Sequence, residues 1–165
     1  MVREAVFGMV MASVPNADVL DLFCGSGAYA FEALSRGAAC AVLVDSNKKA
    51  ADIARLNAEA LGYADRCEIH CRDYLVMLER LRREERTFDL IFIDPPYGSG
   101  FYGPALEACA LLINANGRIV AEHAANVKPE TVQGLRVSRQ RSYGIRAVTI
   151  LERCDEHDRN LSGEL

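Results

Sequence analysis

The stretch Phe88-Asp89-Leu90-Ile91-Phe92-Ile93-Asp94-Pro95-Pro96-Tyr97 constrains the fold of this chain more than any other. Leu90 to Ile93 form an unbroken apolar run, the pattern of a central parallel strand covered on both faces. Asp94 ends that run with a charge. Pro95 and Pro96 then fix two φ angles and remove two backbone donors, and Pro95 holds Asp94 towards extended geometry. The result is a stiff corner at the carboxyl edge of a sheet, where open α/β folds place their ligands. The corner offers acceptors in the Asp94 carboxylate and the backbone carbonyls, and a stacking face in Tyr97. That inventory suits a planar group carrying an exocyclic amine. Asp-Pro and Pro-Pro are also ordinary turn dipeptides, so the corner gains meaning only from what the rest of the chain brings beside it.

Strands and helices alternate along most of the sequence. Val2, Val6, Met9 and Val10 recur at helical spacing and predict an amphipathic first helix; Glu4 and the shortness of the apolar run argue against a signal peptide. Strands are expected at Asp18–Phe23, Ala39–Asp45, Cys67–Cys71, Phe88–Ile93 and Arg118–His123. Helices are expected at Ala28–Arg36, Asn47–Leu61, Tyr74–Glu84 and Pro104–Leu112. Gly37 and Gly62 act as helix stops, Ser46 as an N-cap, and Asn116-Gly117 as the turn into the fifth strand. Such alternation calls for an α/β fold with a doubly wound, mostly parallel sheet. The ending differs. Leu135–Arg141 and Ile145–Arg153 are extended segments around Tyr143-Gly144 with no crossover helix, which predicts a C-terminal antiparallel β-hairpin. Residues 1–154 are expected to form one domain and 155–165 a polar, frayed tail.

The chain has 165 residues, enough for one core without staples. Its formal charge of −4 gives no global support for nucleic-acid binding, so any such partner must be held by local patches. Lys128, Arg136, Arg139, Arg141 and Arg146 face only Glu130 within one segment, which suits either RNA contact or a solvated hairpin. Arg80, Arg82, Arg83 and Arg86 are interleaved with Glu79, Glu84 and Glu85 and are expected to pair among themselves. Cys24, Cys40, Cys67, Cys71, Cys109 and Cys154 show no metal-binding spacing, which predicts reduced thiols, no metal and a cytoplasmic protein. No apolar segment is long enough to span a bilayer, so no membrane partner is expected.

Gly25-Ser26-Gly27-Ala28-Tyr29-Ala30 satisfies the glycine fingerprint of dinucleotide-binding folds, and Asp45 follows at the distance of a ribose-binding acid. The fingerprint alone does not separate a nicotinamide cofactor from S-adenosylmethionine. Asp21 does, because a negative charge just before the turn opposes a pyrophosphate and suits an ammonium and a sulfonium. The terminal hairpin points the same way, since it resembles the seventh-strand hairpin of class I methyltransferases. Asp21, Asp45 and Asp73 each also have a reading as a structural acid, satisfied by backbone donors or solvent.

Four motifs together resemble the RsmD family of 16S rRNA guanine-N2 methyltransferases: Val2-Arg3-Glu4-Ala5-Val6-Phe7, Asp21-Leu22-Phe23-Cys24-Gly25-Ser26-Gly27, Glu32-Ala33-Leu34-Ser35-Arg36-Gly37-Ala38 and Asp94-Pro95-Pro96-Tyr97. The likeness runs from Val2 to about Leu151, with Tyr143-Gly144 matching a late Tyr-Gly of the family. Cys24 stands where alanine is usual and Asp45 where glutamate is more frequent. The resemblance implies a seven-stranded class I methyltransferase fold and S-adenosylmethionine as cofactor. It implies 16S rRNA within a 30S subunit or assembly intermediate as the partner of a monomeric enzyme. Family members usually carry a basic segment and a small hairpin before the Val-Arg-Glu helix, whereas this sequence starts at Met1-Val2-Arg3. Asp94, Pro95 and Tyr97 are then the catalytic residues: Asp94 and the Pro95 carbonyl accept from the target amine, and Tyr97 stacks on the base. Asp21 orients the cofactor's ammonium, Gly25 and Gly27 present backbone to its methionine portion, Asp45 accepts the ribose hydroxyls and Asp73 the adenine amine. The Asp-Pro-Pro-Tyr corner is shared with DNA adenine-N6 methyltransferases, which are the nearest alternative. A nicotinamide oxidoreductase would leave Asp21 and the corner unexplained, and a non-catalytic RNA-binding factor would leave the four acids without a purpose.

Overall fold

The computed structural model describes residues 2–127 and 132–154. Among these, seven strands form one sheet: β1 (Asp18–Leu22), β2 (Cys40–Asp45), β3 (Cys67–Cys71), β4 (Phe88–Ile93), β5 (Ile113–Ala124), β6 (Leu135–Tyr143) and β7 (Arg146–Arg153). Their order is β3-β2-β1-β4-β5-β7-β6, with β1 to β5 parallel and β7 antiparallel to both neighbours. The expected tail at 155–165 lies outside the described residues.

Alternation within each strand sends neighbouring residues to opposite faces. Val19, Leu43, Leu90, Phe92, Val120, Val148 and Ile150 pack under α1 (Val2–Val10), α2 (Ala28–Ser35) and α3 (Lys48–Leu61). Leu20, Leu22, Val42, Val44, Ile91, Ile93 and Ile119 pack under α4 (Tyr74–Arg83) and α5 (Tyr102–Cys109). Both faces of the central strands are therefore dry. Each fully buried aliphatic side chain contributes roughly 1.5–3 kcal/mol, which is why the apolar runs locate the strands so directly.

Element ends depart from expectation where a local hydrogen bond decides. Asn47, not Ser46, caps α3, because the Asn47 side chain accepts from the Ala50 N–H at 3.0 Å. Helix α5 starts at Tyr102, two residues before Pro104, since a proline in the first turn forfeits no helical hydrogen bond. It ends at Cys109 rather than Leu112, where the Leu111 and Leu112 N–H groups turn back to Ala108 and Cys109. The hairpin loop is Gly144-Ile145, with Gly144 at φ +63°, the first position of a two-residue turn that favours glycine.

Asn116-Gly117 is not a turn. It lies inside β5, within a bulge that shifts the register against β4 between Phe88↔Ile113 and Leu90↔Arg118. A Cβ on Gly117 would sit 2.6 Å from the Ile113 side chain and 3.0 Å from the Asp89 carbonyl oxygen. The glycine answers a close backbone approach, which a sequence reading cannot tell from a turn. Gly117→Ala is expected to destabilise the protein by about 1–3 kcal/mol, read as a lowered midpoint in chemical denaturation. A variant as stable as the parent would mean that the bulge yields freely.

Candidate active site

The strand order lays the carboxyl ends of β2, β1, β4 and β5 side by side along one edge. Asp45, Asp21 and Asp94 each lie two residues beyond Leu43, Val19 and Phe92, so all three point to the face covered by α1, α2 and α3. Asp21 is 2% exposed. Its Oδ2 accepts the Ala30 N–H at 3.1 Å, fixing the first turn of α2 over β1. Burial pushes the Asp21 carboxyl well above the usual carboxylate range; the Ala30 bond opposes this, and the charges of Asp94 and Asp45 add to it.

Between these acids runs the glycine turn. Gly25 (φ +54°) and Gly27 (φ +87°) both adopt left-handed backbone, but for different reasons. A Cβ on Gly25 would meet open space, so that residue leaves room for a ligand. A Cβ on Gly27 would strike the Phe31 ring and Leu43, so that residue serves helix–sheet packing. The Asp45 carboxylate braces the turn. Its Oδ2 accepts from Gly25 N–H at 2.9 Å and its Oδ1 from Asn47 N–H at 2.9 Å. A carboxylate has about four lone-pair positions, which leaves one acceptor site on each oxygen.

Asp73 is the N-cap of α4: its Oδ1 accepts from Leu75 N–H at 2.9 Å and Val76 N–H at 3.2 Å. The cap gives this acid a role that needs no ligand, and leaves Oδ2 for a further donor.

Past β4 the chain turns at Pro96–Ser99, where Ser99 N–H donates to the Pro96 carbonyl and Gly98 takes φ +67°. Tyr97 stands on this turn 82% exposed. Phe101 anchors the far end of the loop by stacking on Phe23 at 6.0 Å and packing on Tyr74 at 5.0 Å. Phe23 holds φ +57°, a costly conformation for a bulky residue. The strain places its ring in this aromatic cluster beside the glycine turn.

Asp94 does not stand alone. Arg146 Nη2 donates to its Oδ1 at 2.9 Å, and Arg146 Nε donates to Glu122 Oε1 at 2.6 Å. The Tyr29 hydroxyl donates to Glu122 Oε2 at 2.7 Å. Burial, aided by the Glu122 charge, pushes the Asp94 carboxyl up to about 6, against the pull of Arg146. A cavity of about 430 Å³ opens beside it, lined among others by Pro95, Tyr97, Glu122, Val127, Ile145 and Arg146.

Tyr29, Glu122 and Arg146 escape the sequence reading as site residues. Glu122 carried a usable signal, an isolated acid at the end of the apolar run Ile119–Ala121, the same signal that singles out Asp21. Arg146 was grouped with a basic surface patch instead. That patch shrinks in the structure: Arg136 Nε is held by Glu152 at 2.7 Å, Lys128 and Glu130 lie outside the described residues, and Arg139 and Arg141 remain exposed on β6. Arg80 and Arg82 pair with Glu84 and Glu79 as expected, whereas Arg86 leaves the cluster and pairs with Glu68 on β3 at 2.7 Å. Among the described residues no cluster of His, Cys, Asp or Glu is arranged to hold a metal ion, and no helix is long and apolar enough to cross a membrane.

Comparison with known proteins adds an independent line. The family described as Conserved hypothetical protein 95 matches residues 1–152. The chain is 34% identical to "Putative rRNA methyltransferase YlbH" of Bacillus subtilis, across 92% of this chain and 84% of that protein. It is 29% identical to ribosomal RNA small subunit methyltransferase D of Escherichia coli, across 81% of this chain and 64% of that protein. A conserved hypothetical protein of Streptococcus pyogenes superposes with a TM-score of 0.82 at 33% identity, covering 90% of this chain and 93% of that one. The RsmD resemblance carried by the four motifs is borne out.

The burial of Asp21 has a consequence for stability. The unfolded chain releases this proton near the ordinary value of 3.8, whereas the folded carboxyl holds it to higher pH. The wild type therefore loses stability as pH rises through that window. Asp21→Asn keeps an acceptor for Ala30 N–H without a charge. It is expected to exceed the wild type in stability by a margin that widens from pH 4.5 to 7.5, measured by denaturant unfolding of the protein alone. A margin flat with pH would show that burial does not hold the proton.

Proposed function

The chain belongs to the Conserved hypothetical protein 95 family, and from that premise we propose that it transfers a methyl group from S-adenosylmethionine to the exocyclic N2 amine of a guanine in 16S rRNA. One observation carries the reading: Asp94 stands on the sheet edge between two kinds of space. On the β1 side lie the glycine turn and a buried acid, and on the β5 side lies the cavity of about 430 Å³. A cofactor on the first side and a base in the second would meet at Asp94.

The residues of the first side fit the cofactor. Asp21 is a buried acid that faces one backbone donor and two further acids, so an ammonium group would supply a counter-charge. Gly25 leaves open space above the turn, and Asp45 keeps an acceptor site on each oxygen for a pair of ribose hydroxyls. Gly27 shapes the turn, and the second oxygen of Asp73 is available to an adenine amine. When bound, S-adenosylmethionine supplies a methyl group activated by its sulfonium.

On the second side, the difficulty is the target amine, whose lone pair is delocalised into the guanine ring. Asp94 Oδ2 and the Pro95 carbonyl would accept its two N–H bonds and turn that lone pair out of the ring plane. Tyr97, exposed on its turn, would stack on the base, worth roughly 1–3 kcal/mol. That gain helps to offset the few kcal/mol needed to extrude a base from its stack. Asp94 also stabilises positive charge developing on the amine, and with a carboxyl at about 6 it is mostly ionised at pH 7.5 and able to take the released proton. Arg139 and Arg141 on the exposed strand β6 would contact RNA phosphates. The substrate would be a 30S subunit or assembly intermediate in the cytoplasm, met by a monomer that needs no metal.

Calorimetry should show S-adenosylmethionine binding without RNA, and Asp45→Ala should weaken it at least tenfold, since hydrogen bonds to a charged group contribute about 1.5–3 kcal/mol each. Asp94→Ala should leave that affinity nearly unchanged while abolishing single-turnover methylation of 30S particles that lack the modification. Asp94→Asn should fall between, because its amide oxygen still accepts without charge. Wild-type turnover by Asp94→Ala would reduce the Asp-Pro-Pro-Tyr corner to a turn.

A further inference from the structure

Among the described residues, Arg146 is the cation that the structure places on Asp94, and it arrives from the hairpin rather than from the sheet edge. It is the first residue of β7, directly after the Gly144-Ile145 loop, and it is in register with Ala124 at the end of β5. Its guanidinium uses two different nitrogens for two different acids: Nη2 for Asp94 and Nε for Glu122. The second acid is itself fixed. The Glu122 side chain is 11% exposed and accepts the Tyr29 hydroxyl on its other oxygen. The Tyr29 ring is stacked on Phe92 at 4.8 Å. A planar fork held at one end by a buried carboxylate can present its remaining N–H groups in one direction only.

We propose that Arg146, anchored by Glu122, is a positioning residue for methyl transfer: it engages Oδ1 of Asp94, sets the plane of that carboxylate, and leaves Oδ2 to the target amine. This rests on the functional reading above. It also reassigns Arg146, because a guanidinium committed to two carboxylates inside the site is not a phosphate contact of a basic hairpin. The charge balance around Asp94 gives Arg146 a second consequence. Glu122 on β5 faces Asp94 as a like charge, and Arg146 on β7 opposes Glu122. The neighbouring Asp21 on β1 holds its own proton above the usual range and is raised further by Asp94, and Tyr29 on α2 acts on Asp94 through Glu122. Without Arg146, Asp94 would keep its proton to higher pH and present a donor where the amine requires an acceptor.

Two measurements test this. The first is a ¹³C NMR titration of carboxyl-labelled aspartates in the protein alone, with Asp94→Asn identifying the Asp94 signal. The Asp94 step is expected near 6 in the wild type. In Arg146→Gln it should move upward by about one pH unit or more. In Glu122→Gln, which removes the like charge while keeping an oxygen for Arg146, it should move downward. Arg146→Lys retains the charge and should leave the step near its wild-type position. The second is single-turnover methylation of 30S particles between pH 5.5 and 9. Arg146→Gln should lower the rate constant at saturating substrate by about 100-fold and shift its acidic limb with the NMR step. Arg146→Lys should lower the rate constant without shifting the limb, because an ammonium cannot span both carboxylates in one plane. KM for the particle and its salt dependence should stay unchanged in both. An unmoved Asp94 step, together with a raised KM and a shallower salt dependence, would overturn the proposal and return Arg146 to the RNA surface. A wild type that methylates no rRNA would sink the functional reading, and the titration would still decide on Arg146.

Discussion

The geometry of the sheet edge hangs on a hydrogen bond that is out of sight of solvent, from the Ala30 N–H to the Asp21 carboxylate. It ties the first turn of α2 to the interior of β1, and so fixes where the glycine turn must begin and end. The turn has little freedom left. Gly27 is pressed by Phe31 and Leu43, Gly27 N–H returns to the Cys24 carbonyl at 2.8 Å, and Gly25 N–H is taken by Asp45 from the neighbouring strand. An acid buried with one backbone partner is a standing cost to the fold. Such a cost is expected where an acid is kept for a cationic ligand, the role proposed above for Asp21.

How much of this was legible in the sequence depends on whether the cause was local. Continuous apolar runs located β1, β2 and β4 to within a residue, because burial on both faces leaves no other composition possible. The glycine turn and the strand-end acids were legible for the same reason, since each departs from what an apolar strand allows. Gly117 shows the limit. Its glycine answers to Ile113 and to the Asp89 carbonyl across a bulge, and nothing adjacent in sequence reports that approach. Asp73 shows another, because an acid ahead of a helix looks alike whether it caps the N–H groups or awaits a ligand. The structure shows the cap, and the capping oxygen is only one of two.

Arg146 is the instructive miss. In sequence it ends a run of cations and belongs with them by proximity. Along the chain it stands 52 residues from its partner Asp94 and 24 from Glu122, yet in space it is 2.9 Å and 2.6 Å from them, and the antiparallel pairing of β7 with β5 is what brings it there. Charge patterning along a chain assigns a side chain to its neighbours in sequence, whereas a hairpin assigns it to its neighbours across the ladder. Arg139 and Arg141, on the outer strand of the same hairpin, stay on the surface where the pattern put them.

The two sides of the edge are joined through consecutive residues of one helix. Ala30 donates its backbone N–H to Asp21, and Tyr29, one position earlier, donates its hydroxyl to Glu122. Glu122 holds Arg146, and Arg146 holds Asp94. A shift of the first turn of α2 along its axis would therefore disturb the acid proposed for the cofactor's ammonium and, by three hydrogen bonds, the carboxylate proposed for the target amine. The Phe92 ring under Tyr29 and the Phe7 ring beside both restrain such a shift from below. Methyl transfer demands that donor and acceptor approach along one line, so a small loss of alignment is costly in rate. Anchoring both acids to the same helical turn would keep their separation constant while the exposed Tyr97 loop and hairpin tip adjust to the RNA substrate proposed above.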